Sequence, residues 1–460
     1  MGLSVIKQLG NGLRPEEAVE QFLHSADSAL TLGYNFTQYY LPGKPLIELL
    51  AIFLKDKDGL RLLISDKMHE AEAVIAEAGE PLTNQSLSFL SLRLAAPLFN
   101  LEKPLVLEPV SIAKPWGQEI WFTGIEARGQ SGFSDGAYSV PIPWLLSLLP
   151  RHLLGTEETG LNLLKILDPL SEPVYGDLYF ELHEEKREVY VVTHVDRQSW
   201  PGGEGKIRFG FDASVRDAFD GLDEFRSAYL QAVQNYERVR RKIDGIFDQQ
   251  RLAQGLDLNE PIAASLLKQW HQSLSASLQK EEAALREAMN RFTHLRALRE
   301  GDVVKVPCLT PHALQHGVRT VEFQTPVYER KILAFGQKVL TQNHWDTEAA
   351  VALMSLQSDP DQKLEMLEEG PGICREQVVA FDDFQVQRIT LSPGACWQIP
   401  MSESYKLLMV VAGELDFGAD AAPLKAEQAA LLPAFGMATV IRNCGWEEGI
   451  VLLSEPLAVI

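Results

Sequence analysis

The stretch of residues 179–196, YFELHEEKREVYVVTHVD, constrains the chain most. Apolar and polar residues alternate on both sides of a charged middle. This predicts two short strands joined by a tight turn at 184–187. Residues two apart in a strand share a face, so Glu181 and His183 point the same way. Glu188 opens the second strand and faces back across the hairpin. Two carboxylates and an imidazole converging on a rigid sheet make part of a metal site. His312, in VVKVPCLTPHALQHG, follows a strand and a Pro-containing turn and is the candidate for the remaining ligand. The plain alternative is a solvated, charge-rich hairpin. His194 shares the parity of Glu188 and faces either the site or solvent.

Charge and composition narrow the function classes. Lys plus Arg total 42 against 63 Asp plus Glu, a net charge of −21 that repels phosphate backbones and argues against a nucleic-acid partner. A small anionic substrate stays possible where a local basic pocket overrides that field. The four cysteines, Cys308, Cys374, Cys396 and Cys444, lack paired metal spacing and do not form a disulfide scaffold. The first residues lack the apolar core of a signal peptide, and no apolar run is long enough to cross a bilayer. A cytoplasmic protein with no membrane partner is expected.

At 460 residues the chain has room for several domains. Residues 1–103 read as a largely helical extension, since LIELLAIFLKDKDGLRLLISDKMHEAEAVIAEAG carries apolar residues at helical spacing, broken by a turn at 57–59. From Pro104 the texture becomes strand-like, with a helical piece at 140–154. Residues 213–300 read as helical: Leu222, Phe225, Tyr229, Val233, Tyr236, Val239, Ile243 and Phe247 recur at three- and four-residue steps. Strands then return, so the helices are inserted between two parts of one β-domain. A helix is expected near 343–356, and the last hundred residues suggest a sandwich or jelly roll. Trp116 and Trp200 either pack in the core or wall a sugar pocket. A faint repeat relates Val306-Pro307 and His312 to Leu432-Pro433 and Ala438, with Ser402-Glu403-Ser404 where histidines would stand in a metal-binding copy.

From Pro104 onward the chain resembles the type I phosphomannose isomerases, two-cupin zinc enzymes with a helical domain set into the first cupin. PLVLEPVSIAKPWGQEIW is similar to the family's opening strand and its Lys-x-Trp-Gly. LLKILDPLSEPVYGDLYFELH resembles the approach to its Gln-x-His ligand pair, with Glu181 in place of Gln. KREVYVV resembles the Lys-x-Glu segment, GDVVKVPCLTPHAL the strand delivering the last ligand, and VEFQTPVYER the segment ending on an active-site Arg. The resemblance implies a mixed α and β fold. A metal-binding cupin would span 104–212 and 301–335, with inserted helices at 213–300 and a metal-free cupin at 336–460. It implies metal ligands Glu181, His183, Glu188 and His312, and catalytic or substrate-binding Lys186, Glu322 and Arg330. The cofactor would be zinc, and the activity aldose–ketose isomerisation of a sugar phosphate, mannose 6-phosphate to fructose 6-phosphate.

Three departures carry expectations. Glu181 adds a negative charge that favours a metal harder than zinc, such as manganese or iron. The interval between His183 and Glu188 is five residues, where the family has a long segment, so the site is expected at an open sheet edge with slow turnover. The Arg330 loop is shortened, with Glu329 beside it. Two other functions compete: a metal-binding cupin that binds a sugar without turning it over, and a cupin catalysing metal-dependent oxidation.

Overall fold

The protein is described from a computed structural model, over residues 6–9, 13–57, 59–79, 81–156, 160–357, 362–418 and 422–457. It divides into two compact units. One draws on Met1–Val110, Trp121–Leu164 and Leu364–Ile460, the other on Ser111–Ile120 and Lys165–Lys363.

The first unit corrects the helical reading of the N-terminal segment. Lys7–Gln8, Ala29–Thr37, Leu46–Asp56, Gly59–Ser65 and Leu98–Asn100 form a five-stranded sheet. Helices Pro15–His24, Met68–Ala78 and Asn84–Leu94 accompany it. The strand Leu46–Asp56 is buried without a break from Leu49 to Leu54. An apolar run with no polar face carries no period, so helix and strand spacing match it equally. Asp56 pairs with Gly59, whose φ of 120° suits glycine in a reversal. Leu50, Ile52 and Leu63 pack against Val74, Leu87 and Leu90 of the helices. Ile52→Ala is expected to cost about 2–4 kcal/mol, read from the denaturant midpoint.

The same unit carries the C-terminal β-region. Lys406–Ala412, Gly449–Pro456, Phe384–Leu391, Ile373–Ala380 and Glu365–Gly370 are consecutive antiparallel members of a nine-stranded sheet. Four short strands form a further sheet beside it in the core that includes Leu408, Leu415, Ile441 and Val451. The expected strands and turns of the last hundred residues are therefore present.

The second unit holds the organising stretch, and here the hairpin expectation fails. Phe180–Leu182 and Glu188–Val195 are strands, but they do not pair with each other. Phe180–Leu182 lies between His312–Leu314 and Lys331–Ala334 in a five-stranded sheet. Glu188–Val195 lies between Val303–Val306 and Val318–Gln324 in a six-stranded sheet. Alternation identifies a strand without identifying its neighbour. The charged turn carries the chain from one sheet to the other.

Helix Leu222–Ala253 buries the predicted stripe from Phe225 to Phe247, but Leu222, in its first turn, is exposed. Helices Ala264–Ser273 and Ala276–Asn290 follow. The helical reading runs too far, however, because Thr293–Leu298 is a strand paired with Gly205–Phe211. It is only six residues long and buried only at its two ends, too weak a signal to stand out after a long helix. Trp116 is fully buried in the core, and Trp200 stacks on His316 at 4.7 Å, so both tryptophans pack. Among the described residues no helix is long and apolar enough to cross a membrane.

Candidate metal centre

Each sheet contributes donors. His312 is opposite Glu181 in the five-stranded sheet, His183 follows that Glu181 strand, and Glu188 opens its strand in the six-stranded sheet. Ligand atoms of His183, Glu188 and His312 lie within 4.8 Å of one another. His183 Nε2 is 3.4 Å from Glu188 Oε1, and His312 Nε2 is 3.0 Å from Glu188 Oε2. Glu181 Oε1 is 3.9 Å from His183 Nε2. Three of the four residues expected as ligands therefore converge, and Glu181 approaches only His183.

The imidazoles are aimed by backbone carbonyls. His183 Nδ1 lies 2.9 Å from the Glu329 carbonyl and His312 Nδ1 lies 3.0 Å from that of Thr310. A carbonyl only accepts, so each Nδ1 carries a hydrogen and each Nε2 is turned toward Glu188. Burial pushes His183 well below the usual imidazole range, against the pull of Glu188. Burial alone would raise the Glu188 carboxyl, but the Lys186 ammonium beside it holds it well below the carboxylate range. Neutral imidazole and ionised carboxylate are the protonation states a divalent metal requires.

The fit to a cation is also visible in unmet needs. His183 Nε2 and Glu181 Oε2 are buried without a hydrogen-bond partner. A cation among these atoms answers both needs at once.

The turn between the sheets explains how so short an interval holds two ligands. Glu329 Oε1 accepts from the backbone N–H groups of Glu184, Glu185 and Lys186 at 2.9, 3.2 and 3.2 Å. The Glu329 carbonyl at the same time orients His183. Glu329→Ala is expected to orphan these donors and lower stability by about 1–3 kcal/mol, with weaker metal retention, checked by thermal unfolding and elemental analysis. Leu309, at φ 64°, donates its N–H to the His183 carbonyl at 2.6 Å, a strained backbone position held beside the ligands.

The expected open site is corrected. His183, Glu188 and His312 are 1%, 2% and 3% exposed. Because the turn joins two sheets, the donors sit between layers rather than at the edge of one. Glu181 and Arg330 are the solvent-touched side, with side chains 18% and 19% exposed. Arg330 Nη1 is 3.8 Å from Glu181 Oε2, and its guanidinium lies over the Tyr179 ring at 4.7 Å. Lys186 Nζ contacts Glu188 Oε1 at 2.7 Å. His194 is exposed and pairs with Glu300 at 3.3 Å, because a bulge between Val192 and His194 resets its parity.

Sequence reasoning named Glu322 but missed the charged chain it belongs to, behind the donors. Tyr190 OH donates to Glu188 Oε2 at 2.6 Å. Glu322, paired with Tyr190 across the sheet, lies 3.3 Å from Lys165 Nζ. Glu119 lies 3.9 Å from Lys165 and 3.2 Å from Lys114. Burial and then the Glu188 charge push the Glu322 carboxyl well above its usual range, with Lys165 pulling back. Burial works against the Lys165 ammonium, but Glu119 and Glu322 outweigh it and keep it charged. The available signal was Lys165 itself, one cation in the apolar strand Leu163–Pro169.

No family model and no curated protein matches the sequence. Solved structures do match. The chain is similar to mannose 6-phosphate isomerase from Bacillus subtilis, with a TM-score of 0.51 and 16% identity over 76% of this chain and 99% of that one. A single-residue variant of phosphomannose isomerase from Salmonella typhimurium gives a TM-score of 0.49 and 15% identity, over 77% and 99% of the two chains. The fold is mannose 6-phosphate isomerase-like. At such low identity the likeness to the Bacillus subtilis structure extends to the fold alone, and the chemistry must come from the residues.

Proposed function

We propose that the protein is a metal-dependent aldose–ketose isomerase acting on a sugar phosphate, with mannose 6-phosphate and fructose 6-phosphate as the pair. The observation that carries this is the convergence of neutral His183, ionised Glu188 and His312 in a buried centre backed by the Glu322–Lys165 pair. The sheets around the donors are read as a metal-binding cupin. The C-terminal sheets are read as its metal-free relative, with Ala438 standing where His312 would. His183, Glu188, His312 and Glu181 would hold one divalent metal, zinc or a harder ion. When bound, that metal supplies a positive charge for the oxygen that becomes negative during isomerisation.

The reaction moves one proton from C2 to C1 and one from O2 to O1, so no atom is gained or lost. Glu322 is the candidate to take and return the carbon proton. Its burial raises its proton affinity toward that of a useful base. Lys165 holds it in place and limits the shift. Lys186, bound to Glu188, balances a ligand charge. Arg330, at the solvent-touched side, is placed to hold the phosphate in charge-assisted hydrogen bonds. The burial of His183, Glu188 and His312 counts against an open sheet edge, one of the two grounds for a non-catalytic sugar binder; the N-terminal segment is the other. The cysteines are all free, in keeping with a cytoplasmic setting.

Arg330→Ala tests this reading. One lost charge-assisted bond is worth about 1.5–3 kcal/mol, so KM for mannose 6-phosphate should rise about 10- to 100-fold with metal content unchanged. Unaltered kinetics would place Arg330 outside the site.

A further inference from the structure

The helical part of the second unit encloses a cavity of about 200 Å³ that shares no lining residue with the metal centre. One water needs only about 10–15 Å³ of such space, so the cavity is large enough for a small molecule. Four cations, Arg240, Arg251, Arg286 and Lys338, line it against the carboxylates of Asp244 and Glu282. Arg240 Nε donates to Asp244 Oδ1 at 2.9 Å, and Arg286 pairs with Glu282 at 3.3 Å. Arg251 instead donates to the backbone carbonyls of Asp257 and Glu260, at 2.8 and 2.7 Å. Lys338 is held by Asp248 at 2.7 Å. The lining is thus richer in cations than in carboxylates.

Two acceptors among the lining residues have no hydrogen-bond partner. Asp244 Oδ2 and Gln337 Oε1 are buried and unbonded, in residues each 6% exposed. Gln337 Nε2 donates to the Tyr175 carbonyl at 2.8 Å, which fixes the amide with its oxygen elsewhere. A buried acceptor without a donor costs free energy, and a ligand hydroxyl would satisfy it. Phe247, Ile262 and Leu267 supply apolar wall for a carbon skeleton.

We propose that this cavity binds a small polyol bearing one acidic group, its hydroxyls donating to Asp244 and Gln337 and its anion facing the arginines. The site is separate from the metal centre, and its occupancy does not depend on isomerase activity.

Calorimetric titration of the full-length protein with gluconate, sorbitol 6-phosphate and sorbitol tests it. Gluconate or sorbitol 6-phosphate is expected to bind one to one, and the stronger of them identifies the acid as carboxylate or phosphate. Neutral sorbitol should bind about tenfold more weakly or worse, since a charge-assisted bond is lost. Leu267→Trp fills the cavity and should abolish binding. Gln337→Leu, which removes one acceptor at nearly constant size, should weaken it about tenfold and serves if the tryptophan variant does not fold. The same titration on His183→Ala should be unchanged. Failure of both anions to bind, equal binding of sorbitol, full binding in Leu267→Trp or Gln337→Leu, or loss in His183→Ala would each overturn the proposal.

Discussion

A His183→Ala, His312→Ala double variant is expected to purify without metal, where the wild-type chain carries about one divalent ion in a four-donor site. Even an outer partner of a metal ligand is worth about 10- to 100-fold in affinity, so two direct donors are worth far more. Both rings are pre-aimed by backbone carbonyls at 2.9 and 3.0 Å, so their Nε2 atoms are ready donors without rearrangement. What remains is Glu188 and Glu181. Glu188 is already satisfied by Lys186 at 2.7 Å and Tyr190 at 2.6 Å, so the stripped centre still has a charge-balanced core. The variant should therefore fold, and lose only the stabilisation that metal binding adds by mass action. Elemental analysis alongside thermal unfolding checks both parts. Full metal retention would show that these residues are not the ligands.

The second large effect is expected at Glu322. Glu322→Gln keeps the side chain's shape and its place beside Lys165 but removes the proton acceptor. If Glu322 carries the carbon proton, kcat should fall about 10²- to 10⁴-fold, the usual range for a positioned acid or base. KM and metal content should stay near wild type, because the loss falls on the transition state alone. A kcat within about threefold of wild type would remove Glu322 from the chemistry and leave it as a charge partner of Lys165.

How far the sequence reached depended on the kind of signal. The donors were legible because Glu181 and His183 follow the strand period of two, Glu188 opens the next strand, and His312 follows a recognisable strand and turn. Their sheet was not legible. A hairpin and a crossing between sheets look identical over residues 179–196. The difference lies in Glu329, whose carboxylate gathers three N–H groups of the turn from about 145 positions away in sequence. The open-site expectation failed for the same reason, since it assumed a sheet edge. The N-terminal sheet was missed because Leu49–Leu54 is apolar on both faces and so carries no period. The Phe225–Ile243 stripe was plain, since a long amphipathic helix repeats its signal over many turns. Lys165 was visible but unweighted; a lone cation inside a largely apolar strand announces burial with partners that only the fold supplies.

The central claim, a metal-dependent sugar-phosphate isomerase, is tested most directly by turnover on chelated and reconstituted protein. The wild-type chain is stripped of metal, divided, and assayed for fructose 6-phosphate formed from mannose 6-phosphate with increasing zinc, and in parallel with manganese. The predicted result is no turnover in stripped protein and a rise that saturates near one metal per chain. A protein that takes up its metal at His183, Glu188 and His312 yet forms no fructose 6-phosphate, or one that isomerises equally well without metal, would contradict it.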